Sequence, residues 1–172
     1  PFDADHLRDS VFAVPPLARD ADGEVNAVEN GKIIRFLEQG GIRSLLYGGN
    51  AVFYHLRLSE YARTLSIISE HASDDTTVVP SIGPACGLAM DQVDILREFD
   101  FPAAMVLPAR DVVDGQGIAS GLRRLAERLG KPLVLYLKFD RWLDASLIQS
   151  LERDGVISWI KYAVVLDNPA VD

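Results

Sequence analysis

Val156-Ile157-Ser158-Trp159-Ile160-Lys161-Tyr162-Ala163-Val164-Val165 is a run of β-branched and aromatic residues that contains a single cation. A short, nearly continuous apolar run reads as a strand of a parallel sheet, where helices packed outside allow both faces to be apolar. Strand alternation puts Lys161 on one face with Ile157, Trp159 and Ala163, so its amine points into an apolar interior. Poor hydration there disfavours the ammonium form. A lysine held partly neutral is a nucleophile towards ketones and can form a Schiff base. An amine at the strand end could equally reach solvent or pair with a carboxylate. The strand alone leaves both readings open.

Working outward, β-rich runs alternate with helical patterns along the whole chain, the signature of βα units and a parallel sheet. The expected strands are Ser10–Pro15, Ile42–Tyr47, Thr77–Ile82, Ala103–Leu107, Leu133–Leu137 and Val156–Val164. A first helix is expected from Asn26, with Glu29 completing a capping box, Val28, Ile33, Phe36 and Leu37 on its buried side, and Gly40-Gly41 as its stop. A second has Ser59 as N-cap and buries Ala62, Leu65 and Ile68. A third uses Leu88, Val93, Leu96 and Phe99. A fourth uses Ile118, Leu122, Leu125 and Leu129 before Gly130, and a fifth runs from Asp144 to Gly155.

Six such units suit either a doubly wound sheet or a (β/α)8 barrel. No Gly-x-Gly-x-x-Gly follows the first strand, where Val14-Pro15-Pro16-Leu17 stands instead. A barrel takes about 250 residues. The 172 residues are therefore expected to form one α/β domain, the first six βα units of a (β/α)8 TIM barrel truncated at its C-terminus. Such a piece would leave two open sheet edges.

Composition narrows the function classes. One cysteine, Cys86, excludes an internal disulfide, and a net charge of -8 with no Lys/Arg patch argues against nucleic acid and anionic membranes. No apolar run reaches spanning length, and Pro1–His6 has no signal-peptide character, so a cytoplasmic protein is expected. His6, His55 and His71 are scattered and Cys86 stands apart, which gives no metal-ligand spacing. Cys86 itself reads more readily as a packing residue than as a nucleophile. Asp74-Asp75, Asp91 and Asp94 read as solvated charges.

Several of these segments together resemble the dihydrodipicolinate synthase / N-acetylneuraminate lyase family of pyruvate-dependent class I aldolases. Val11-Phe12-Ala13-Val14-Pro15 and the acidic turn Asp20–Val25 are similar to its first strand and the segment that follows. Tyr136, in Leu135-Tyr136, falls where the family places its catalytic tyrosine. Lys161, in Ile160-Lys161, falls where it places the Schiff-base lysine. In the second-strand loop the family's Gly-Ser/Thr-Thr-Gly-Glu is replaced by Gly48-Gly49-Asn50-Ala51-Val52, with Glu60 in register beyond it. Both hydroxyls are lost. By the resemblance one hydroxyl relays a proton with the tyrosine and the other holds the pyruvate carboxylate. Gly48, Gly49 and Asn50 are thus expected to bind substrate, through backbone N–H and amide donors. Tyr47, Tyr54 and His55 are candidates by type for the relay, with packing as the alternative.

Pro108-Ala109-Arg110 lacks the tyrosine that reaches across a subunit interface in the synthases, which argues against lysine-biosynthetic synthase activity. Arg141 stands where synthase members carry an arginine for the second substrate's carboxylate; a solvated loop arginine is the other reading. Lys138, two residues past Tyr136, ranks second to Lys161 as the reactive amine.

The resemblance implies a mechanism in which Lys161 attacks the ketone of pyruvate or another 2-oxo acid and loses water to form an iminium. Loss of a proton gives an enamine that adds to an aldehyde, or the path runs in reverse, with Tyr136 moving protons. It implies an aldehyde or sugar-acid second substrate, no metal or other cofactor, and a homo-oligomer, dimer or tetramer. A barrel that binds a 2-oxo acid or sugar acid without turnover is the alternative, and a purely structural module is a third class.

Overall fold

The computed structural model describes residues 7–8, 11–110 and 113–165; Pro1–His6 and Ser10 lie outside them. The elements run β1 (Phe12–Ala13), α1 (Ala27–Gln39), β2 (Ser44–Tyr47), a 3-10 turn (Phe53–His55), α2 (Leu58–His71), β3 (Thr77–Ile82), α3 (Cys86–Leu96), β4 (Ala104–Val106), α4 (Gly115–Leu129), β5 (Leu133–Leu137), α5 (Ala145–Arg153) and β6 (Ile157–Tyr162). The six strands pair in sequence order, all parallel. Each strand lies next to the one that follows it in the chain, so the sheet winds in one direction, as a barrel does. Its curl is visible where the Phe12 and Trp159 rings, from the first and last strands, meet 5.1 Å apart. The result is a half-barrel of the (β/α) type, as the strand and helix alternation leads one to expect.

Leu45, Leu46, Val79, Ile82, Met105, Leu133, Val134 and Leu135 are fully or almost fully buried, and because neighbours along a strand alternate they fill both faces of the sheet. The helix ends follow the expected chemistry. The Glu29 N–H donates to Asn26 Oδ1 at 3.0 Å, and the Gly117 N–H donates to Asp114 Oδ1 at 2.9 Å. Gly130 closes α4 at φ 71°, a left-handed position where glycine carries no Cβ penalty.

Four expectations need correction. Strand β1 is confined to Phe12–Ala13. Helix α1 buries Asn30, Gly31 and Ile34, whereas Val28 and Phe36 are 62% and 74% exposed. The cause is a satisfied polar contact: Asn30 accepts from the Ala18 N–H and donates to the Ala18 and Asn26 carbonyls. Helix α2 begins one residue before Ser59, with the Arg57 N–H donating to Glu60 Oε1, and Ala62 faces solvent while Tyr61, Thr64 and Ile67 are buried. Strand β6 is not buried on both faces: Ile157 is buried and Trp159 and Lys161 are partly buried, whereas Ile160 and Tyr162 are 40% and 58% exposed. Among the described residues no helix is long and apolar enough to cross a membrane.

Between β5 and β6 the register shifts. Leu133 pairs with Ile157 but Val134 pairs with Trp159, so Ser158 is an extra residue on β6. From there Leu135 faces Ile160 and Tyr136 faces Lys161.

Candidate active site

The C-terminal ends of parallel strands, where strand direction and loop geometry gather side chains, bring together four polar groups. Lys161 Nζ lies 4.4 Å from the centroid of the Tyr136 ring, and Lys138 Nζ lies 5.5 Å from that of Tyr54. Tyr136 and Lys138 alternate along β5 and its end, which puts them on one side of the chain. Tyr54 reaches them from the 3-10 turn that follows β2. Tyr136 is almost fully buried, Lys161 and Tyr54 are partly buried, and Lys138 is exposed at the rim.

The electrostatics follow from this placement. Burial, and then repulsion from Lys138, holds the Lys161 amine below the ordinary lysine range. Burial pushes the Tyr136 phenol up, and it pushes Tyr54 up to about 12, with Tyr136 adding to the shift. Both phenols are therefore neutral hydroxyls that can donate and accept at physiological pH. The Tyr54 hydroxyl is buried without a hydrogen-bond partner. Tyr47, fully buried at the end of β2, also has an unpartnered hydroxyl, and burial raises its pKa strongly.

The loop after β2 is shaped by close approach at one residue. A Cβ on Gly48 would collide with Met105 Cε and come within 3.2 Å of Ser81 Oγ, so a side chain there requires Met105 to shift. Gly49 has no such restriction: a Cβ there meets nothing within 4 Å, and its φ is not positive. The chain turns back through bonds from the Val52 N–H to the Gly49 carbonyl (3.1 Å) and from the Phe53 N–H to the Gly48 carbonyl (3.3 Å). Among the described residues the N–H groups of Gly49, Asn50 and Ala51 have no backbone acceptor. The Asn50 side chain instead ties the loop to the residue that follows β1, Nδ2 donating to the Val14 carbonyl at 3.3 Å.

The remaining residues singled out in the sequence stand apart from this group. Arg141, at φ 54°, has a side chain 90% exposed and lies 3.7 Å from Asp140. Arg110 stacks over the Phe139 ring at 5.5 Å. Glu60 is tied by both carboxylate oxygens to Arg19, at 2.9 and 3.0 Å, and holds the start of α2. No group of three His, Cys, Asp or Glu side chains able to hold a metal occurs among the described residues. The pairing of Lys138 with Tyr54 is the one feature the sequence reading did not anticipate. Its only trace there is the two-residue step from Tyr136.

No protein-family model matches the sequence, and no curated protein matches it. Solved structures do. The chain is similar to dihydrodipicolinate synthase from Oceanobacillus iheyensis, with a TM-score of 0.78 at 24% identity over 90% of this chain and 52% of that one. It is similar to the sialic acid aldolase of Ruminococcus gnavus, with a TM-score of 0.82 at 11% identity over 91% of this chain and 55% of that one. It is also similar to 2-keto 3-deoxygluconate aldolase from Picrophilus torridus, with a TM-score of 0.79 at 16% identity over 89% of this chain and 57% of that one. At these identities the likeness is one of fold. The chain spans about half the length of the structures it matches.

Proposed function

We propose that this chain carries the reactive centre of a Schiff-base-forming lyase or aldolase acting on pyruvate or another 2-oxo acid. The observation that carries the reading is the approach of the Lys161 amine to the Tyr136 ring, in register on adjacent strands at the mouth of the half-barrel. The solved neighbours named as a synthase and two aldolases lend it support.

In this reading the neutral Lys161 amine attacks the ketone carbon, and the carbonyl oxygen takes a proton to give a carbinolamine. Loss of that hydroxyl as water leaves an iminium. The iminium withdraws the electron pair freed when the adjacent carbon loses a proton, and the resulting enamine adds to an aldehyde; cleavage retraces the steps. Tyr136 delivers and accepts the protons at oxygen. The N–H groups of Gly49, Asn50 and Ala51, with Gly48 shaping the turn, take the substrate carboxylate. Arg141 at the rim would have to swing inward to meet a second, acidic substrate.

The six units would belong to one barrel of eight, whose remaining elements would cover Val28 and Phe36 at one edge and Ile160 and Tyr162 at the other. The same reading takes the protein to be a cytoplasmic homo-oligomer. Incubation with pyruvate and borohydride should add the mass of one reduced adduct to the peptide containing Lys161. Label on Lys138, or no label, would remove the assignment. A second reading, a binder without turnover, is favoured by the absence of any hydroxyl at Gly48-Gly49-Asn50; it predicts pyruvate binding with no covalent adduct.

A further inference from the structure

Two lysines share the mouth of the sheet, and the reading above uses only one. Among the described residues, Arg19, Lys32, Arg43, Arg123, Arg128, Lys131 and Arg141 each lie against a carboxylate. Lys138 and Lys161 have no carboxylate partner there; exposed arginines such as Arg35, Arg63 and Arg97 lack one too, but these two lysines share the mouth. Each rests on the face of a tyrosine instead. A ring face attracts an ammonium less than a carboxylate does, so the mouth keeps a positive field that an anion would neutralise.

The two halves of an anion site are present but separate. The Gly49–Ala51 turn offers N–H donors and no charge. Lys138 offers a charge and, among the described residues, no carboxylate partner. The Phe53 N–H to Gly48 carbonyl bond folds the chain back so that Tyr54, which holds Lys138, follows directly on that turn. Arg141, the other cation near the end of β5, points to solvent beside Asp140.

We propose that Lys138, held against Tyr54, binds the carboxylate of the 2-oxo acid whose carbonyl reacts at Lys161, and so selects anionic over neutral ketones. This rests on the Schiff-base reading for the carbonyl end. The anion end is carried by Lys138 and the turn.

The test compares borohydride trapping of pyruvate with that of hydroxyacetone, a neutral ketone of similar size, in the wild type, Lys138→Met and Lys138→Arg. In Lys138→Met the half-saturating pyruvate concentration should rise about 10-fold, the order expected for losing a charge-assisted contact. Hydroxyacetone should be unaffected relative to it. Lys138→Arg should keep the preference for pyruvate. Any change in Lys161 reactivity alters both ketones together, so their ratio reports the carboxylate contact alone. Equal changes for both ketones, no change for either, or label on Lys138 would overturn the proposal. If the wild type traps neither ketone, the Schiff-base reading fails. Saturation-transfer NMR of pyruvate then decides the anion site by itself: binding lost in Lys138→Met upholds it, and equal binding in both proteins ends it.

Discussion

Tyr136 and Lys161 are register partners across β5 and β6, and the lysine nitrogen stands over the tyrosine ring at 4.4 Å. The ring face attracts the ammonium form, whereas burial and Lys138 oppose it. The amine is thus held in place as a cation yet is easier to deprotonate than an exposed lysine. The proposed nucleophilic role, in which the amine must be both positioned and neutral, would need that combination.

Tyr136→Phe keeps the ring and removes the hydroxyl. Turnover should fall by about 10²–10⁴-fold, the usual worth of general acid–base help, while pyruvate binding changes little. Steady-state rates set beside equilibrium binding would show this, and a fall in binding equal to the fall in rate would count against a proton-transfer role.

The lowered pKa of Lys161 should appear in stability as well as in reactivity. Between its folded value and an unfolded value of about 10.4, the unfolded chain holds the extra proton, so stability rises with pH across that window. Lys161→Met should therefore raise Tm at neutral pH, with a gain that shrinks as pH climbs towards the ordinary lysine range. Thermal melts across that range check it; a gain independent of pH would point to packing alone.

Gly48 and Gly49 should respond oppositely to an added side chain. Gly48→Ala forces Met105 or the loop to move and should cost about 1–3 kcal/mol, as overpacking does. At Gly49 a Cβ meets nothing within 4 Å, so Gly49→Thr, which adds a hydroxyl, should leave Tm within a few degrees and, on the proposed chemistry, raise turnover more than binding. Denaturant melts and kinetics on both variants distinguish these outcomes.

Glu60 is a structural carboxylate in this fold. Its bonds to Arg19, and then to the Arg57 N–H, hold its pKa below the usual carboxylate range against the opposing effect of burial. The stability this supplies is full above about pH 4.3, the unfolded value, and is lost as pH falls through the folded one. Glu60→Gln should cost about 1 kcal/mol near neutrality and flatten part of the acid limb of a stability–pH curve. An unchanged acid limb would show that other carboxylates set it.

Strands β2 to β6 were legible in the sequence because each is a short, largely apolar run, and Lys161 was conspicuous because it breaks one. The buried face of α1 was not. Hydrophobic periodicity selected Val28 and Phe36, whereas the chain buries Asn30 through bonds to Ala18, and Gly31 beneath the His71 ring. Local pattern carries no information on a distant backbone segment that satisfies a polar group. The Lys138–Tyr54 contact was hidden for the same reason: it joins two loops 84 positions apart, and neither residue is unusual where it stands.

Ser158 has a consequence out of proportion to its chemistry. It is the additional residue on β6, three positions before Lys161, and the register shift absorbs it; if Ser158 were instead paired in regular register from Leu133 and Ile157, Ile160 and not Lys161 would stand against Tyr136. The amine would then advance one step along β5, opposite Leu137, and turn to the other side of the sheet. Deleting Ser158 should therefore leave Lys161 opposite Tyr136 and remove only the irregularity, whereas adding a residue between Trp159 and Ile160 should carry Lys161 one step beyond Tyr136.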